Sequence, residues 1–408
     1  MRLVVEVSLI LKKFEVTIND DSVPPQDTIV FATIDSWDLS SDLMGDAVIT
    51  RQLESDAVFN FATSYINITL SGSSTLTAEF TRANLEQYTY GVEISGDGVR
   101  RFVGQIDQTN VTYNPDAQIW EFKARDWYKY FYDILARISW NYLSQDLSGY
   151  LEQTFCLGQF LQLGTIDMPF RDPNGDDWGD ANSEIEILID YKLLSRTDYL
   201  VEVIKNYAGF FYVDADYKLN FINRSRQTPP IQAVAIDILD QTTAKTYLRD
   251  SFYDGILVSQ KTQVSPTISE ISWKLLRYIN GEVDVTTITD PDQLNQITGL
   301  RVLDLRQKLG AIASGSGTDI TYTWGYRMGY VIFPQRDYAD TLADYRDLFQ
   351  KPILIEIEIE HTDDMNLISH IFHDDGSGNV EYVVEYIEED LVSEKMMIRA
   401  KEYFRNSL

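Results

Sequence analysis

Cysteine is almost missing from this chain. Cys156 stands alone among 408 residues, so no intrachain disulfide framework exists. Flanked by Phe155 and Leu157 and with no histidine close in sequence, it reads as a buried structural thiol. That fits synthesis in a reducing compartment. Long apolar runs are absent too: no stretch reaches the roughly eighteen residues that a membrane helix needs. The opening MRLVVEVSLILKKFEVTIND has one early cation, Arg2, an interruption at Glu6, and no small-residue cleavage site after Leu11. It therefore reads as two strands or one bent strand, and not as a leader. Cations are scarce. Lys and Arg total 34 against 63 Asp and Glu, a formal charge of −29. Such a surface repels phosphate, which excludes nucleic-acid binding as a main task. Arg100-Arg101 and the spaced pair Arg224 and Arg226 are small basic clusters, too short to make a basic face.

Catalytic signatures are missing as well. The sequence holds no GxSxG, no HExxH and no phosphate-cradling loop. Nothing singles out one carboxylate pair for glycoside hydrolysis among 63 acidic residues. The three histidines, His361, His370 and His373, fall within one short stretch beside Asp363, Asp364, Asp374 and Asp375. Their spacing matches no zinc signature, and the segment reads as a solvated loop flanking an exposed strand. The acidic loop 172–180, DPNGDDWGD, lacks the ligand order and closing Glu of a calcium loop. The sequence accordingly singles out no catalytic, cofactor-binding or metal-binding residue, and no cofactor is expected.

What the chain does contain is strand pattern. Hydrophobic residues make up 44 % and charged residues 24 %, enough to build real cores, and the length suits roughly two to four domains. Ile66, Ile68 and Leu70 share one face of an alternating segment, Ser71 to Ser74 supply a turn, and Leu76 to Phe80 reads as extended again. Gly96-Asp97-Gly98 and Asn114-Pro115-Asp116 are turn signals between short strands. From Trp127 to Ile138 the apolar spacing becomes helical. A second helix, capped by Thr197-Asp198, runs through Tyr207, and FFYVDADYKLNFINRSR follows as a hairpin turning at Asp214. FYDGILVSQKTQVSP and TISEISWKLL look like strands, 293–310 reads as a short helix, and Ala313 to Thr318 as a flexible loop. In ILIEIEIEH, Ile353, Ile355, Ile357 and Ile359 share one face and Glu356, Glu358 and Glu360 the other, a half-buried strand. The tyrosines (25) and tryptophans (7) are spread along every strand, as core aromatics are.

Four segments, taken in order, resemble the hub proteins of bacteriophage tails and related contractile injection machines. They are VRRFVGQIDQTNVTYNPDAQIWEFKARDW, with Phe102, Gly104, Asp126 and Trp127; SRTDYLVEVIKNYAGFFYVDADYKLNFINRSR; YDGILVSQ; and EYVVEYIEEDLVSEKMMIRAKEYF. The resemblance implies a mainly β fold with α+β insertions: two tube-like β-barrel domains plus an inserted α/β domain. The boundaries it suggests are 1–130 for the first barrel and 131–235 for the insertion. The second barrel would occupy 236–408, with an irregular insertion near 263–320. It further implies a non-enzymatic virion protein of the tail tip or baseplate, made in the host cytoplasm. As a homotrimer, it would join a six-fold tail tube or distal tail protein to a three-fold spike or central fibre. The tape measure protein and DNA would pass through its channel, without specific DNA binding and without membrane insertion by this chain. Carboxylates lining that channel would keep DNA from sticking, and the Glu356, Glu358, Glu360 row is one candidate, with an outer solvated face as its plainer reading. The competing functions are a tail-associated hydrolase or peptidase and a carbohydrate-binding adsorption protein.

Overall fold

The computed structural model describes residues 6–19, 28–53, 60–72, 74–128, 160–167, 209–223, 253–265, 268–279, 282–288, 301–304, 353–374 and 378–403. It also describes short strands at 135–136, 142–145, 185–188, 194–195, 244–247, 311–314, 321–324 and 330–332, and residues 234, 236 and 238. The fold is mainly β.

The first unit comprises β1 (Val7–Asn19), β2 (Thr28–Asp38), β3 (Val48–Leu53), β4 (Asn60–Ser71), β5 (Thr89–Gly96), β6 (Val99–Ile106), β7 (Thr112–Asn114) and β8 (Ile119–Asp126). The opening segment is one strand bent by a register shift at Lys13/Phe14. Asp97 and Gly98 both take positive φ between β5 and β6, the geometry a two-residue hairpin turn requires. Leu76 to Phe80 is not extended. It lies in helix α1 (Ser74–Glu79) and the residue after it, and α2 (Arg82–Gln87) follows. Leu76 and Phe80 are four apart, so helical winding puts both on the side facing the sheet, where both are buried. The Thr81 side chain caps α2 by accepting from the Asn84 backbone N–H at 3.3 Å. Beneath the helices, Leu9, Ile49, Ile66, Ile68, Val92 and Phe122 form part of one continuous core. Phe80 meets Tyr90, Trp120 and Phe122 edge-on, with centroids 5.4–5.6 Å apart.

The middle of the chain supplies β9 (Leu135–Ala136), β10 (Tyr142–Gln145), β11 (Gln162–Asp167), β12 (Ile185–Leu188), β13 (Leu194–Ser195), β14 (Gly209–Val213) and β15 (Lys218–Asn223). The helix expected from Trp127 to Ile138 is contradicted at Leu135–Ala136, which pair antiparallel with Leu194–Ser195. Ladder pairing overrides helical spacing there. The expected helix ending at Tyr207, Cys156 and the acidic loop 172–180 lie outside the described residues. The hairpin around Asp214 is β14–β15, and β14 attaches it to the first unit by pairing parallel to the start of β4.

The last part contributes β16 (Ala244–Tyr247), β17 (Gly255–Ser265), β18 (Ile268–Ile279), β19 (Glu282–Ile288), β20 (Val302–Asp304), β21 (Ala311–Ser314), β22 (Thr321–Trp324), β23 (Tyr330–Ile332), β24 (Ile353–Glu360), β25 (His370–Asp374), β26 (Asn379–Asp390) and β27 (Lys395–Glu402). The expected helix at 293–310 fails at β20, which pairs parallel to β17 in a separate four-stranded sheet. Ala313 and Ser314, expected in a loop, end β21 and pair with β22. The alternating Ile–Glu segment is β24, with Ile355, Ile357 and Ile359 buried against Ile387 and Ile398.

One path of hydrogen-bonded strands runs through both ends of the chain, in the order β16-β24-β27-β26-β3-β4-β8-β6-β5-β1-β2. Its seam is the antiparallel pairing of β26 with β3, from Tyr386 opposite Gln52 to Asp390 opposite Val48. Among the described residues the path does not close into a barrel, because β2 and β16 end it.

Candidate functional site

At the seam lies a cleft of about 390 Å³, walled by β3, β4, β6, the end of β8, the β14–β15 turn, the 362–367 loop and β26. The pleat of each strand decides what it contributes. Arg51 comes from β3, Arg100 and Arg101 from β6, Asp126 from the last position of β8, and Glu389 from β26.

Arg51 donates to the Glu389 carboxylate, and to the Arg101 carbonyl at 3.1 Å. His361 Nε2 lies 2.9 Å from the other Glu389 oxygen, and Arg101 pairs with Asp363 at 2.6 Å. Cations of the first unit thus meet acids of the last one across the seam. Burial alone would raise the Glu389 carboxyl, but Arg51 and His361 together hold it down at about 2. Beside this joint, Arg100 reaches Asp216 on the β14–β15 turn at 3.3 Å and Glu93 at 3.5 Å. Glu93 also accepts from the Tyr217 hydroxyl and from Lys12, each at 2.6 Å. Burial and that bond push the Tyr217 phenol up.

The family-like quartet of Phe102, Gly104, Asp126 and Trp127 comes together at the edge of the cleft. Gly104 pairs with Asp126 across β6 and β8, and a Cβ there would stand 2.3 Å from the Arg125 carbonyl oxygen. Asp126 accepts from the backbone N–H groups of Ser64 and Tyr128. Burial pushes its carboxyl up to about 7 despite those donors. Trp127 is packed edge-on against Phe14, Phe31 and Phe160, at 5.6, 5.6 and 4.6 Å. In this way one tryptophan ties β1, β2 and the residues just before β11 to the end of β8.

The histidines do not converge. His361 turns to Glu389 while His370 Nδ1 lies 2.7 Å from buried Glu381. Among the described residues no three metal-ligating side chains gather at one place. The Glu356–Glu360 row is not a bare carboxylate surface: Arg399 pairs with Glu356 and Lys395 with Glu358, both at 2.6 Å across β24 and β27. Sequence reading missed Arg51 and Glu389, and weighed Asp363 only as a metal ligand beside the histidines. A signal for Glu389 exists, because it shares its strand face with Ile387 and Leu391, and all three are buried. A lone acid on the apolar phase of a strand needs a partner, although nothing local says that the partner lies 338 residues away.

No protein-family model matches the chain, and no curated protein matches it. Among solved structures it is similar to the 43 kDa tail protein of prophage MuSo2 from Shewanella oneidensis, with a TM-score of 0.48 and 11% identity, covering 97% of this chain and 98% of that one. The tail protein from Neisseria meningitidis MC58 gives a TM-score of 0.47 and 9% identity, over 98% and 97% of the two chains. Prophage tail protein gp18 from Listeria monocytogenes EGD-e gives 0.46 and 10%, over 98% and 95%. Two of the three are prophage tail proteins and the third is a tail protein.

Proposed function

We propose that this chain is a non-enzymatic structural subunit of a phage tail tip or baseplate hub. The observation that carries this reading is the seam. Two β units, each with a main core of its own, are fused edge to edge through β3 and β26 into one sheet path, and a small buried cluster of Leu53, Ala62, Phe210 and Ile368 spans the joint. A chain built as two laterally joined β units can adapt symmetry, since three copies offer six units around an axis. On this reading 1–130 and 236–408 are the two tube-forming domains and 131–235 is the insertion between them. The ring meets the tail tube or distal tail protein on one face and a spike or central fibre on the other. Tape measure protein and DNA pass through it within the virion, after the chain is made in the host cytoplasm.

The cleft supports a joint more than a catalytic pocket, because Arg51 and Arg101 are committed to Glu389 and Asp363 across the seam. Since Glu356 and Glu358 are already ion-paired, repulsion of passing DNA falls to other acidic residues of a chain carrying −29. The test is the mass of the purified protein across a concentration series, followed by electron microscopy of the assembly. A three-fold ring with a central channel is expected. A closed two-fold dimer with no channel would overturn the hub.

A further inference from the structure

Five carboxylates and three arginines line the seam cleft. All three arginines are engaged: Arg51 with Glu389, Arg101 with Asp363, and Arg100 with Asp216 and Glu93. Asp214 holds the β14–β15 turn, accepting from the Asp216 and Lys218 backbone N–H groups and from the Asn220 amide. Asp126 is left. It is only 3% exposed, yet among the described residues it forms no ion pair. Arg125, its neighbour in the chain, stands on the opposite face of β8 and is directed to Asp107 at 3.9 Å.

A carboxyl so placed is under two opposed demands. One oxygen accepts the Ser64 backbone N–H and the other that of Tyr128, and donors on both oxygens favour the ionised form. Burial without a counter-charge disfavours that same form. A cation entering the cleft resolves the conflict. The surroundings suit a long cationic side chain. The cleft's volume of about 390 Å³ lies within the roughly 300–1,000 Å³ typical of ligand sites. Phe102, Val103, Phe210 and Met396 give its wall apolar surface, against which the methylene stem of a lysine or arginine packs while its head reaches a carboxylate. Val99, 48% exposed, and the exposed Asp216 and Asp363 stand at the solvent side.

We propose that the seam cleft is a socket for one arginine or lysine side chain carried on a loop of a different protein, with Asp126 as its counter-ion. The partner is basic and foreign, because two chains of charge −29 repel each other while each attracts a cationic surface. The inference stands on the charges of the cleft and needs neither a ring nor a channel, so it survives or fails apart from the hub reading.

The test titrates the full-length protein in a calorimeter with three end-blocked glycine tripeptides whose central residue is arginine, lysine or the neutral citrulline. The better cationic peptide is expected to bind about tenfold or more tighter than the citrulline peptide. Asp126→Asn is expected to erase that preference with the circular dichroism spectrum unchanged. Should that variant fail to fold, the exposed rim decides: Val99→Arg repels an incoming cation, so it weakens the cationic peptides severalfold and leaves the citrulline peptide unmoved. Equal affinity for all three peptides, no binding at millimolar concentration, a preference that survives Asp126→Asn, or cationic peptides indifferent to Val99→Arg overturns the socket. Sedimentation velocity covers the remaining occupant. If Asp126→Asn breaks up self-association of the parent, the cation comes from a second copy and the foreign partner is overturned.

Discussion

In the first unit the core is completed by aromatic side chains that arrive from outside the main ladder. Phe80 descends from the residue following α1 onto Tyr90, Trp120 and Phe122, and Trp127 gathers Phe14, Phe31 and Phe160 just past the end of β8. The C-terminal unit is built mainly by alternation along its strands: Ile355, Ile357 and Ile359 of β24 face Ile387 and Ile398, and the polar phase is stitched by Arg399–Glu356 and Lys395–Glu358. The first design concentrates stability in a few large residues far apart in sequence. The second spreads it over many small repeats, so that no single residue matters as much.

The comparison breaks most severely at Trp127. Trp127→Ala removes the shared partner of three aromatic rings and is expected to cost about 3–5 kcal/mol, measured by chemical denaturation. Ile357→Ala in the other unit should cost about 2–4 kcal/mol. If the two substitutions shift one common transition, the seam makes both units a single cooperative block. Two transitions, each moved by only one substitution, would show that the units melt separately.

Next comes the joint between them. Glu389→Ala strands the part-buried Arg51 and should cost about 3 kcal/mol. The Glu389 carboxyl is held below its ordinary 4.5, at about 2. Its contribution is therefore present above pH 4.5 and lost as pH falls toward 2. Glu389→Gln should flatten that acid limb, and a limb of unchanged steepness would assign it to other carboxylates.

Asp126 gives an effect of opposite sign. Its carboxyl is raised from 3.8 to about 7, so ionising it costs the folded state more than the unfolded one. Stability from this group is greatest below pH 3.8 and declines as pH climbs to 7. Melting temperatures between pH 4 and 8 should lose this slope in Asp126→Asn, even if the substitution lowers every value by a constant amount. The smallest change belongs to the C-terminal surface. Glu358→Gln removes an exposed pair and should shift stability by less than about 1 kcal/mol; a larger loss would mean that this face is covered in the protein as purified.

Local pattern carries much of the fold, and distance hides the rest. The Ile–Glu alternation of β24, the Asp97-Gly98 turn and the hairpin around Asp214 are each readable within a dozen residues, because a period of two or a positive φ leaves its mark in composition. Leu76 to Phe80 reads as extended and is helical for a physical reason: residues four apart share a face in a strand and in a helix alike. Leu135–Ala136 and Val302–Asp304 became strands through partners at Leu194–Ser195 and Gly255–Leu257, which no local spacing could announce. The cleft lay furthest from view. Of its charges, Asp126 could be singled out through the family-like Asp-Trp pair and Asp363 only as an acid near the histidines, whereas the pairing of Arg51 with Glu389 and of Arg101 with Asp363 depends on a contact between the two ends of the chain.

The β3–β26 pairing also sets an order of events during synthesis. Strand β3 is complete within the first 53 residues, yet its partner begins at Asn379. Until the ribosome has passed that point, β3 has β4 on one side and nothing on the other. A chain stalled or cleaved before Tyr386 lacks the residues that pair with β3 and keeps an open backbone edge that chaperones and proteases can read.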